Sequence, residues 1–443
     1  MAVGNIERVL IELRPRLQSA NFFIGFSRRF AEIKSTKIDL GSDRIIITTE
    51  NNDECYEIRL GDYFKLHTQT LSSLMIKNSY ICFRINTNEN IFHSEVLEIN
   101  DYNVCSDLKL ECGLQTDTDY ILLCSNCCSP LRDESIKFKR ILELPSDHMD
   151  SNDWYCHQHL HECAGVSQTN GESSSNTFHS NKLAPSETDL FFGPFYAILD
   201  RKHLLRVHLK AERFLYCKRC LQYLGTMKRN GSAKLWYENL RFQVPNNNSE
   251  ETTPTRLCLF QKDQLLANFE YLVRKTVNDF NFISHLGLPP IFKIIFEMRR
   301  PGLDGEIFYL LVQIMDVNLN VFKIRKTLDI DSSSGDEQPD NEGENQQQTY
   351  HDYDNDEVFV VAKKTHRNIH LDRHKTMKLM YRYEKFDQQP IVNFWLQDTN
   401  AVNVEISEKM FRAAIRYLDG NSNFVPECYR NNLGFILSYL DIT

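Results

Sequence analysis

Residues 120–127, YILLCSNC, and residues 213–220, RFLYCKRC, share one pattern: a short apolar run that ends in a Cys-x-x-Cys pair. In such a pair two thiolates from one tight turn reach the same side of a metal ion, and a second pair completes a tetrahedron. The two pairs therefore predict one structural zinc ion with four ligands, which are Cys124, Cys127, Cys217 and Cys220. A set of reduced core thiols is the alternative, because buried cysteines are common. A thioredoxin-like redox motif is disfavoured, because neither pair opens a helix in a βαβ pattern.

The composition indicates a globular protein kept in a reducing compartment. The chain has 443 residues, of which 42% are hydrophobic and 25% are charged, and this length favours two or three domains. Its first residues lack the basic start and apolar core of a signal peptide, and no apolar run reaches the length of a membrane span, so we expect no membrane association. The thirteen cysteines, an odd number, then favour metal binding or burial over a disulfide framework.

The net charge of −9 has one local origin. Residues 331–357 contain ten acidic side chains and no Lys or Arg, and without them the formal charge becomes +1. The rest of the chain therefore has no net field to attract nucleic acid, and we expect no direct nucleic-acid binding. The acidic stretch is too polar to pack and is predicted to be a disordered insert. Residues 165–188, rich in Ser, Asn, Thr and Gly, are predicted to be a flexible insert between the two cysteine pairs.

These features divide the chain into three predicted regions, and the fold class they favour is α+β. Residues 1–123 show period-two patterns, for example across residues 9–13, and predict a β-rich, sandwich-like domain. Residues 124–245 form the zinc-linked middle. Residues 246–443 mix both periodicities and predict an α+β region.

The C-terminal region contains two helical patterns. Apolar residues recur at helical spacing over 265–280 and again over 410–418, where Gly420 is expected to end the helix. Period-two patterns predict the strands of this region, at residues 307–322, 357–362 and 377–383.

A third group of potential ligands lies between the two cysteine pairs, in residues 154–163, WYCHQHLHEC. Cys156 and His157 follow an aromatic anchor, Trp154, which predicts a partly exposed Cys-His tip held in one pose. Four cysteines already satisfy a tetrahedral ion, so we expect the tip to lie outside the structural zinc site. The residues alone leave open whether the tip joins the chain's own metal, acts as a nucleophile or contacts a partner.

The chain resembles the HECT-like ubiquitin-protein ligases, a family also described as ubiquitin-conjugating-enzyme-binding proteins. The resemblance rests on motifs found in order along most of the chain. Besides the two cysteine pairs these are KRILELPS at 139–146, WYCH at 154–157, Leu-Gly at 224–225, Leu-Trp at 235–236 and NSNFVP at 421–426. The specific part is Leu144, Pro145 and Ser146 followed by Trp-x-Cys-His. The family usually has a tryptophan a few residues after this serine, where the present chain has Met149.

The resemblance implies a ubiquitin-protein ligase, which accepts ubiquitin from a ubiquitin-conjugating enzyme and passes it to a lysine of a substrate protein. In a HECT mechanism a cysteine thiolate forms a thioester with ubiquitin and then yields it to the amine. The region called HECT-like holds two cysteines, Cys258 and Cys428. Cys258 lies in a strand-like apolar run and is interpreted as a core thiol, which leaves Cys428 as the candidate nucleophile. An ordinary thiol is the alternative for Cys428, since it lacks the Thr-Cys context of HECT domains.

The resemblance also implies a second, non-catalytic activity. Members of the family engage the zinc-dependent endonuclease of pre-mRNA 3′-end cleavage, and the motif from residues 144–146 to Cys156 and His157 looks like the part that plugs this nuclease. A thiolate and an imidazole are both good zinc ligands and would displace the catalytic water. With either activity the expected location of the protein is the cytoplasm and the nucleus.

Overall fold

The protein is β-rich, with four α-helices in the part of the chain that the structure describes. None of these helices is long and apolar enough to cross a membrane. The computed structural model describes residues 6–14, 17–27, 36–49, 54–88, 112–144, 184–193, 195–228, 230–245, 256–257, 265–281, 292–300, 306–324, 365–385 and 389–442.

The N-terminal region forms strands wherever its period-two patterns are described, as expected for runs rich in Ile, Val, Phe and Thr. The strands are β1 Ile6–Arg14, β2 Ser19–Phe26, β3 Thr36–Leu40, β4 Arg44–Thr49, β5 Glu54–Arg59, β6 Leu66–Lys77 and β7 Tyr80–Thr87.

The middle of the chain consists of short strands and two 3₁₀ turns. The strands are β8 Asp119–Cys124, β9 Ile136–Lys137, β10 Arg140–Glu143, β11 Asp189–Phe192, β12 Tyr196–Asp200, β13 Val207–Lys210, β14 Phe214–Cys217, β15 Tyr223–Met227, β16 Ser232–Trp236, β17 Leu240–Gln243 and β18 Arg256–Leu257. The 3₁₀ turns are Arg201–His203 and Tyr237–Asn239.

The C-terminal region contains long strands and all four described α-helices. The strands are β19 Phe292–Arg299, β20 Ile307–Ile324, β21 Thr365–Ile369, β22 Leu371–Lys385, β23 Ala401–Glu405, β24 Asn431–Asn432 and β25 Phe435–Asp441. The helices are α1 Leu265–Asn281, α2 Pro390–Leu396, α3 Glu408–Ser422 and α4 Glu427–Arg430.

A ten-stranded sheet joins strands from the two ends of the chain, in the order β24-β25-β22-β20-β1-β2-β7-β6, with β19 paired to β20 and β23 paired to β19. Strand β20 connects the two halves, because residues 307–314 pair with β19 and residues 321–323 pair with β1. Its pairing with β22 shifts register between Ile314 and Leu319, where an irregularity bends the strand. The sheet therefore curls, and the N-terminal strands continue directly into C-terminal ones.

A smaller sheet, in the order β21-β5-β4-β3, packs on the N-terminal half of this large sheet. The core between them contains Val9, Phe22, Ile45 and Ile58, all fully buried. Strand β1 is buried on both faces: Val9 and Ile11 point into this core, whereas Leu10 belongs to a second cluster with Val425. The predicted boundary at residue 123 stays a prediction, and strand pairing crosses from the first region to the third.

The helices follow the predicted patterns closely. The stripe over 265–280 is confirmed by α1, whose Phe269 and Val273 are fully buried against β-sheet residues. The predicted end of the later helix at Gly420 is wrong, because α3 continues to Ser422. The last turn is held by Ser422 Oγ, which donates to the carbonyl of Asp419 at 2.8 Å, and by Asn421 Nδ2, which donates to a carbonyl of β25 at 3.0 Å. The predicted strand 357–362 and the insert 331–357 lie outside the described residues.

Two further sheets carry the cysteine pairs. A seven-stranded sheet runs β10-β11-β12-β16-β15-β14-β13, and a four-stranded sheet runs β18-β17-β8-β9. Strand β8 ends at Cys124 and strand β14 ends at Cys217, so each Cys-x-x-Cys pair begins where a strand stops. Residues 165–183 of the predicted flexible insert are not described, whereas Thr188 accepts a backbone hydrogen bond from Lys139 at 2.8 Å.

Candidate metal centre and candidate acceptor cysteine

The first cysteine pair forms a tight turn at the end of β8. The amide of Cys124 donates to the carbonyl of Ser129 at 2.9 Å, and the amide of Cys128 donates back to the carbonyl of Cys124 at 2.9 Å. The chain reverses through Cys128, whose φ of 54° lies in the left-handed region. This turn aims the sulfurs of Cys124 and Cys127 to the same side.

The second pair repeats this turn at the same sequence offsets. The amide of Cys217 donates to the carbonyl of Gln222 at 2.9 Å, and the amide of Leu221 donates to the carbonyl of Cys217 at 2.9 Å. Leu221 takes the place of Cys128 and has a φ of 57°. Because both backbone bonds and the left-handed residue recur, the two turns are copies of one knuckle built on unrelated strands.

The two knuckles face each other and bring four sulfurs together. The Sγ atoms of Cys124 and Cys220 are 3.7 Å apart, and those of Cys127 and Cys217 are also 3.7 Å apart. All four sulfurs lie within 4.8 Å of one another. Sulfurs bound to one tetrahedral zinc at about 2.3 Å would be about 3.8 Å apart, so the arrangement matches the edges of such a site. The predicted convergence of the two pairs is confirmed.

The surroundings of the four sulfurs shift the pKa values of the thiols in opposite directions. Burial raises the pKa of the Cys124 thiol to about 12. Burial also opposes ionisation of Cys220, but the side chain of Asn126 and the amide of Gln222 hydrogen-bond to its sulfur, and its pKa falls to about 6. Four thiolates this close together repel one another, so a cation is needed to hold all of them ionised.

The first knuckle is also fastened to the rest of the middle region. Ser125 donates its amide to the carbonyl of Asn239 at 3.0 Å and its hydroxyl to the carbonyl of Glu238 at 2.7 Å. Asn239 in turn donates its side-chain amide to the carbonyl of Tyr223, close to the second knuckle, at 3.0 Å. The 3₁₀ turn Tyr237–Asn239 therefore links the two knuckles independently of any metal.

The candidate nucleophile Cys428 lies in a different part of the molecule, on the short helix α4. It is exposed and lines a cleft of about 920 Å³ together with Arg8, Lys77 and Tyr80 from the N-terminal strands. Its Sγ is 4.0 Å from Sδ of Met75. The cleft thus places an accessible cysteine between the two ends of the chain.

The basic side chains of this cleft are partly engaged in holding its walls. Arg430 donates to the carbonyl of Val425 at 2.8 Å and to Oδ1 of Asn423 at 3.0 Å. Tyr80 donates its hydroxyl to the carbonyl of Asn423 at 2.7 Å, which ties β7 to the end of α3. These bonds fix the loop before Cys428. No histidine is present among the described residues that line the cleft.

Most of the predicted partner-binding motif lies outside the described residues. Pro145, Ser146, Trp154, Cys156 and His157 all belong to the undescribed stretch 145–183, and Cys258 is likewise undescribed.

Leu144 is described and continues the line of β10 on the edge of the seven-stranded sheet. Its amide donates to the carbonyl of Phe192 at 2.7 Å, which extends the parallel pairing of β10 with β11. The motif therefore starts from a well-supported strand end.

Sequence reasoning missed two features of these sites. Asn126, which binds the sulfur of Cys220, lies inside the first Cys-x-x-Cys pair, and its polar side chain was the available signal. Arg8 and Tyr80 contribute to the cleft of Cys428 from more than 340 residues away, and nothing local in the sequence connects them.

A comparison with known protein families identifies the family of this chain. Residues 12–436 match the family described as HECT-like ubiquitin-conjugating enzyme (E2)-binding, which is nearly the whole chain. The protein therefore belongs to this family, and the resemblance drawn from its motifs is confirmed. No solved structure matches the chain.

Two curated relatives are named as E3 ubiquitin-protein ligases. The one from the mouse, Mus musculus, is 25% identical over 240 residues, which is 53% of this chain and 56% of the relative. The one from the rat, Rattus norvegicus, is 24% identical over 258 residues, which is 57% of this chain and 60% of the relative. The chain thus matches little more than half of the length of these relatives.

Proposed function

We propose that this protein is a ubiquitin-protein ligase that binds a ubiquitin-conjugating enzyme, accepts its ubiquitin and transfers it to substrate proteins. The observation that carries the proposal is membership of the E2-binding family over residues 12–436. The names of the mouse and rat relatives support it, although each is matched over only part of its length.

The metal of the four-cysteine centre is zinc in this proposal, and its role is structural. Four thiolates at tetrahedral spacing suit zinc, and they leave no open coordination position for water or substrate. When bound, zinc supplies only the charge that holds the thiolates together. The cysteine centre then shapes the middle of the protein, and the chemistry of ubiquitin transfer takes place elsewhere.

Cys428 is the proposed acceptor, supported by its exposure and by its place in an open cleft. Its thiolate would attack the carbonyl carbon of the thioester that joins ubiquitin to the conjugating enzyme, whose own thiolate leaves. A substrate lysine amine would then attack the new thioester, and the Cys428 thiolate would leave in turn. Each step exchanges one acyl bond for another and needs no oxidant or cofactor.

Ubiquitin discharge from charged conjugating enzymes tests this proposal. The wild-type chain is expected to accelerate discharge to free lysine and to form a ubiquitin adduct that reducing agents cleave. Cys428→Ala should lose that adduct. Cys128→Asn is the matched control, because Cys128 is also exposed and asparagine tolerates its φ of 54°.

Three outcomes of this assay are separable. Faster discharge with a Cys428-dependent adduct supports the full proposal. Faster discharge that is unchanged in Cys428→Ala retains the ligase and removes Cys428 as acceptor. No acceleration with any member of a broad panel of charged enzymes would refute the ligase function.

A second candidate function is binding to the zinc-dependent endonuclease of pre-mRNA 3′-end cleavage through Cys156 and His157. The observation in its favour is the closed four-cysteine set, which leaves these two residues unneeded as ligands of the chain's own metal. This function requires part of the protein to be in the nucleus. Changing Cys156 and His157 to alanine should abolish capture of the purified nuclease while leaving the protein's own zinc content unchanged; loss of that zinc would contradict the proposal.

A further inference from the structure

Two arginines from opposite ends of the chain meet at one asparagine in the cleft that contains Cys428. Nη1 of Arg8, on β1, donates to the backbone carbonyl of Asn423 at 3.5 Å, and Nη1 of Arg430, on α4, donates to Oδ1 of the same residue at 3.0 Å. Both arginines line the cleft of about 920 Å³. The structure therefore holds two guanidinium groups against the polar atoms of a single residue.

Within the described residues, both arginines donate only to uncharged acceptors. Arg8 donates to the hydroxyl oxygen of Tyr80 at 3.2 Å, in addition to Asn423. Arg430 donates to the carbonyl of Val425 through Nε at 3.1 Å and through Nη2 at 2.8 Å. Neither arginine forms an ion pair with a described carboxylate, so neither positive charge is neutralised.

The two carboxylates that line the cleft do not change this. Asp419 accepts a hydrogen bond from the hydroxyl of Tyr381, and Glu427 lies exposed on the first turn of α4. Arg8 and Arg430 are themselves only partly exposed. Two like charges that are partly withdrawn from water repel each other, and an anion bound between them relieves that repulsion.

Both guanidinium groups also have N–H groups that no described residue uses. Arg8 forms its bonds through Nη1 alone, so the edge formed by its Nε and Nη2 has no partner among the described residues. A guanidinium has five N–H groups, and Arg430 uses three of them. A free guanidinium edge is the geometry with which arginine binds two oxygens of a carboxylate or a phosphate.

We propose that Arg8 and Arg430 form a binding site for a phosphate group, either free or carried by a partner protein. The inference goes beyond the proposed ligase function and does not depend on it, because phosphate binding is measured without ubiquitin. Arg430 follows Cys428 by two residues, so their Cα atoms are at most about 7 Å apart. A phosphorylated partner would therefore be held beside Cys428.

The arrangement suits a phosphate better than a carboxylate. One arginine is enough to engage both oxygens of a carboxylate, whereas a phosphate monoester has three terminal oxygens and a charge of about −1.5 to −2 at pH 7. Two guanidinium groups can therefore share one phosphate and balance its charge. Lys77, which also lines the cleft, adds a third cation.

Alkylation of Cys428 in the full-length protein tests the site, because Cys428 is exposed in the same cleft. Iodoacetate carries a carboxylate, and iodoacetamide is a neutral reagent of nearly the same size. The ratio of their rates at Cys428, read by peptide mass spectrometry, measures how strongly the cleft attracts an anion and cancels differences in accessibility. The ratio is expected to be at least about tenfold higher in the wild type than in Arg8→Gln. Inorganic phosphate should lower the wild-type ratio to that of the variant, and sodium chloride of equal ionic strength should lower it far less.

Two controls are matched to this measurement. Arg416→Gln removes an exposed positive charge of α3 that is not among the described residues lining the cleft, and it should keep the wild-type ratio. Cys128 is a second exposed cysteine, on the first zinc knuckle, and its ratio should respond neither to Arg8→Gln nor to phosphate. Arg8 makes only two bonds, at 3.2 and 3.5 Å, so Arg8→Gln should also keep the wild-type melting temperature.

Two results would overturn the site. One is a wild-type ratio that phosphate lowers no more than sodium chloride does, a measurement that needs no variant. The other is a ratio in folded Arg8→Gln equal to that of the wild type.

Short degenerate peptides with a central phosphoserine identify the source of the phosphate. Protection of Cys428 by these peptides at lower concentrations than inorganic phosphate supports a phosphorylated protein partner, and protection at the same concentrations supports free phosphate. The same peptides with glutamate in place of phosphoserine should protect much less. Equal protection by the glutamate peptides would overturn the proposal, because the cleft would then recognise negative charge alone.

Discussion

The four-cysteine centre and the Cys428 cleft use the same amino acid in opposite surroundings. In the centre, two knuckles with the same backbone hydrogen bonds bring four sulfurs together, with Sγ–Sγ distances of 3.7 Å in two pairs. Cys124 and Cys217 are buried. In the cleft, Cys428 lies on a four-residue helix, is open to solvent and has its Sγ 4.0 Å from Sδ of Met75. The comparison teaches that convergence with three other thiols suits a cysteine to metal binding, whereas exposure in an open cleft leaves a cysteine accessible to a reaction partner.

The largest expected effect is loss of one knuckle ligand. Cys217→Ala should release the metal and unfold the middle sheets, because structural zinc contributes about 10–16 kcal/mol, as much as a whole domain's stability. Metal content by mass spectrometry and the thermal melt check this. Cys128→Asn changes an exposed cysteine on the turn of the first knuckle that is not one of the four converging thiols, and this variant should keep both. A zinc-free but fully stable Cys217→Ala protein would show that the centre is only a cluster of thiols.

A second prediction concerns the glycine of the Leu-Gly motif that follows the second knuckle. A Cβ added to Gly225 would lie 2.0 Å from the carbonyl oxygen of Lys234 on the paired strand β16, and backbone atoms cannot move aside cheaply. Gly225→Ala should therefore lower the free energy of unfolding by about 3 kcal/mol. Chemical denaturation measures it.

Gly420→Ala is the matched control for that change. Apart from the backbone of α3 itself, no atom of the described residues lies within 4 Å of a Cβ added at Gly420. Alanine is also the better helix former, so this variant should be stabilised by about 0.5–1 kcal/mol. If both variants lost the same free energy of unfolding, the close approach of Gly225 to the carbonyl of Lys234 would not be what limits residue 225 to glycine.

The next largest expected effect is a pH-dependent change in stability. It arises from Glu238, in the 3₁₀ turn that links the two knuckles. Glu238 as a residue is partly exposed, but its carboxyl oxygen Oε2 is buried without a partner among the described residues, and burial raises its pKa to about 7. An acid with a raised folded pKa contributes stability below its unfolded value of about 4.5, and that stability is lost as the pH rises towards 7.

Glu238→Gln should remove the loss of stability that ionisation of Glu238 causes at higher pH. Glutamine stays neutral and still accepts from the hydroxyl of Ser407, so the variant should be more stable than the wild type at pH 8, by up to about 2 kcal/mol. The difference should shrink as the pH falls to 5. Denaturation at both pH values measures it, and a variant less stable than the wild type at pH 8 would contradict the sign.

The smallest expected effect on stability is at Cys428 in the cleft. Cys428→Ala should change the free energy of unfolding by less than about 0.5 kcal/mol, because the side chain is exposed. The same variant should lose the ubiquitin adduct. A strongly destabilised protein would place Cys428 with the structural cysteines after all.

The sequence was sufficient for features that depend on local spacing. Two Cys-x-x-Cys pairs at strand ends predicted the metal ligands, because the knuckle geometry is contained in each short segment. The helix α1 was readable from one apolar stripe for the same reason. The end of α3 was not, because bonds from Asn421 and Ser422 carry the helix past Gly420.

Long-range pairing was decided only by the tertiary structure. Leu10 pairs with Lys323 in the large sheet, and Arg8 and Cys428 line one cleft, although nothing near either residue specifies its distant partner. The sequence by itself determined the family and the four cysteines that converge. The fold determined which of the described cysteines are left exposed, namely Cys128 and Cys428, because burial depends on contacts between segments far apart in the sequence.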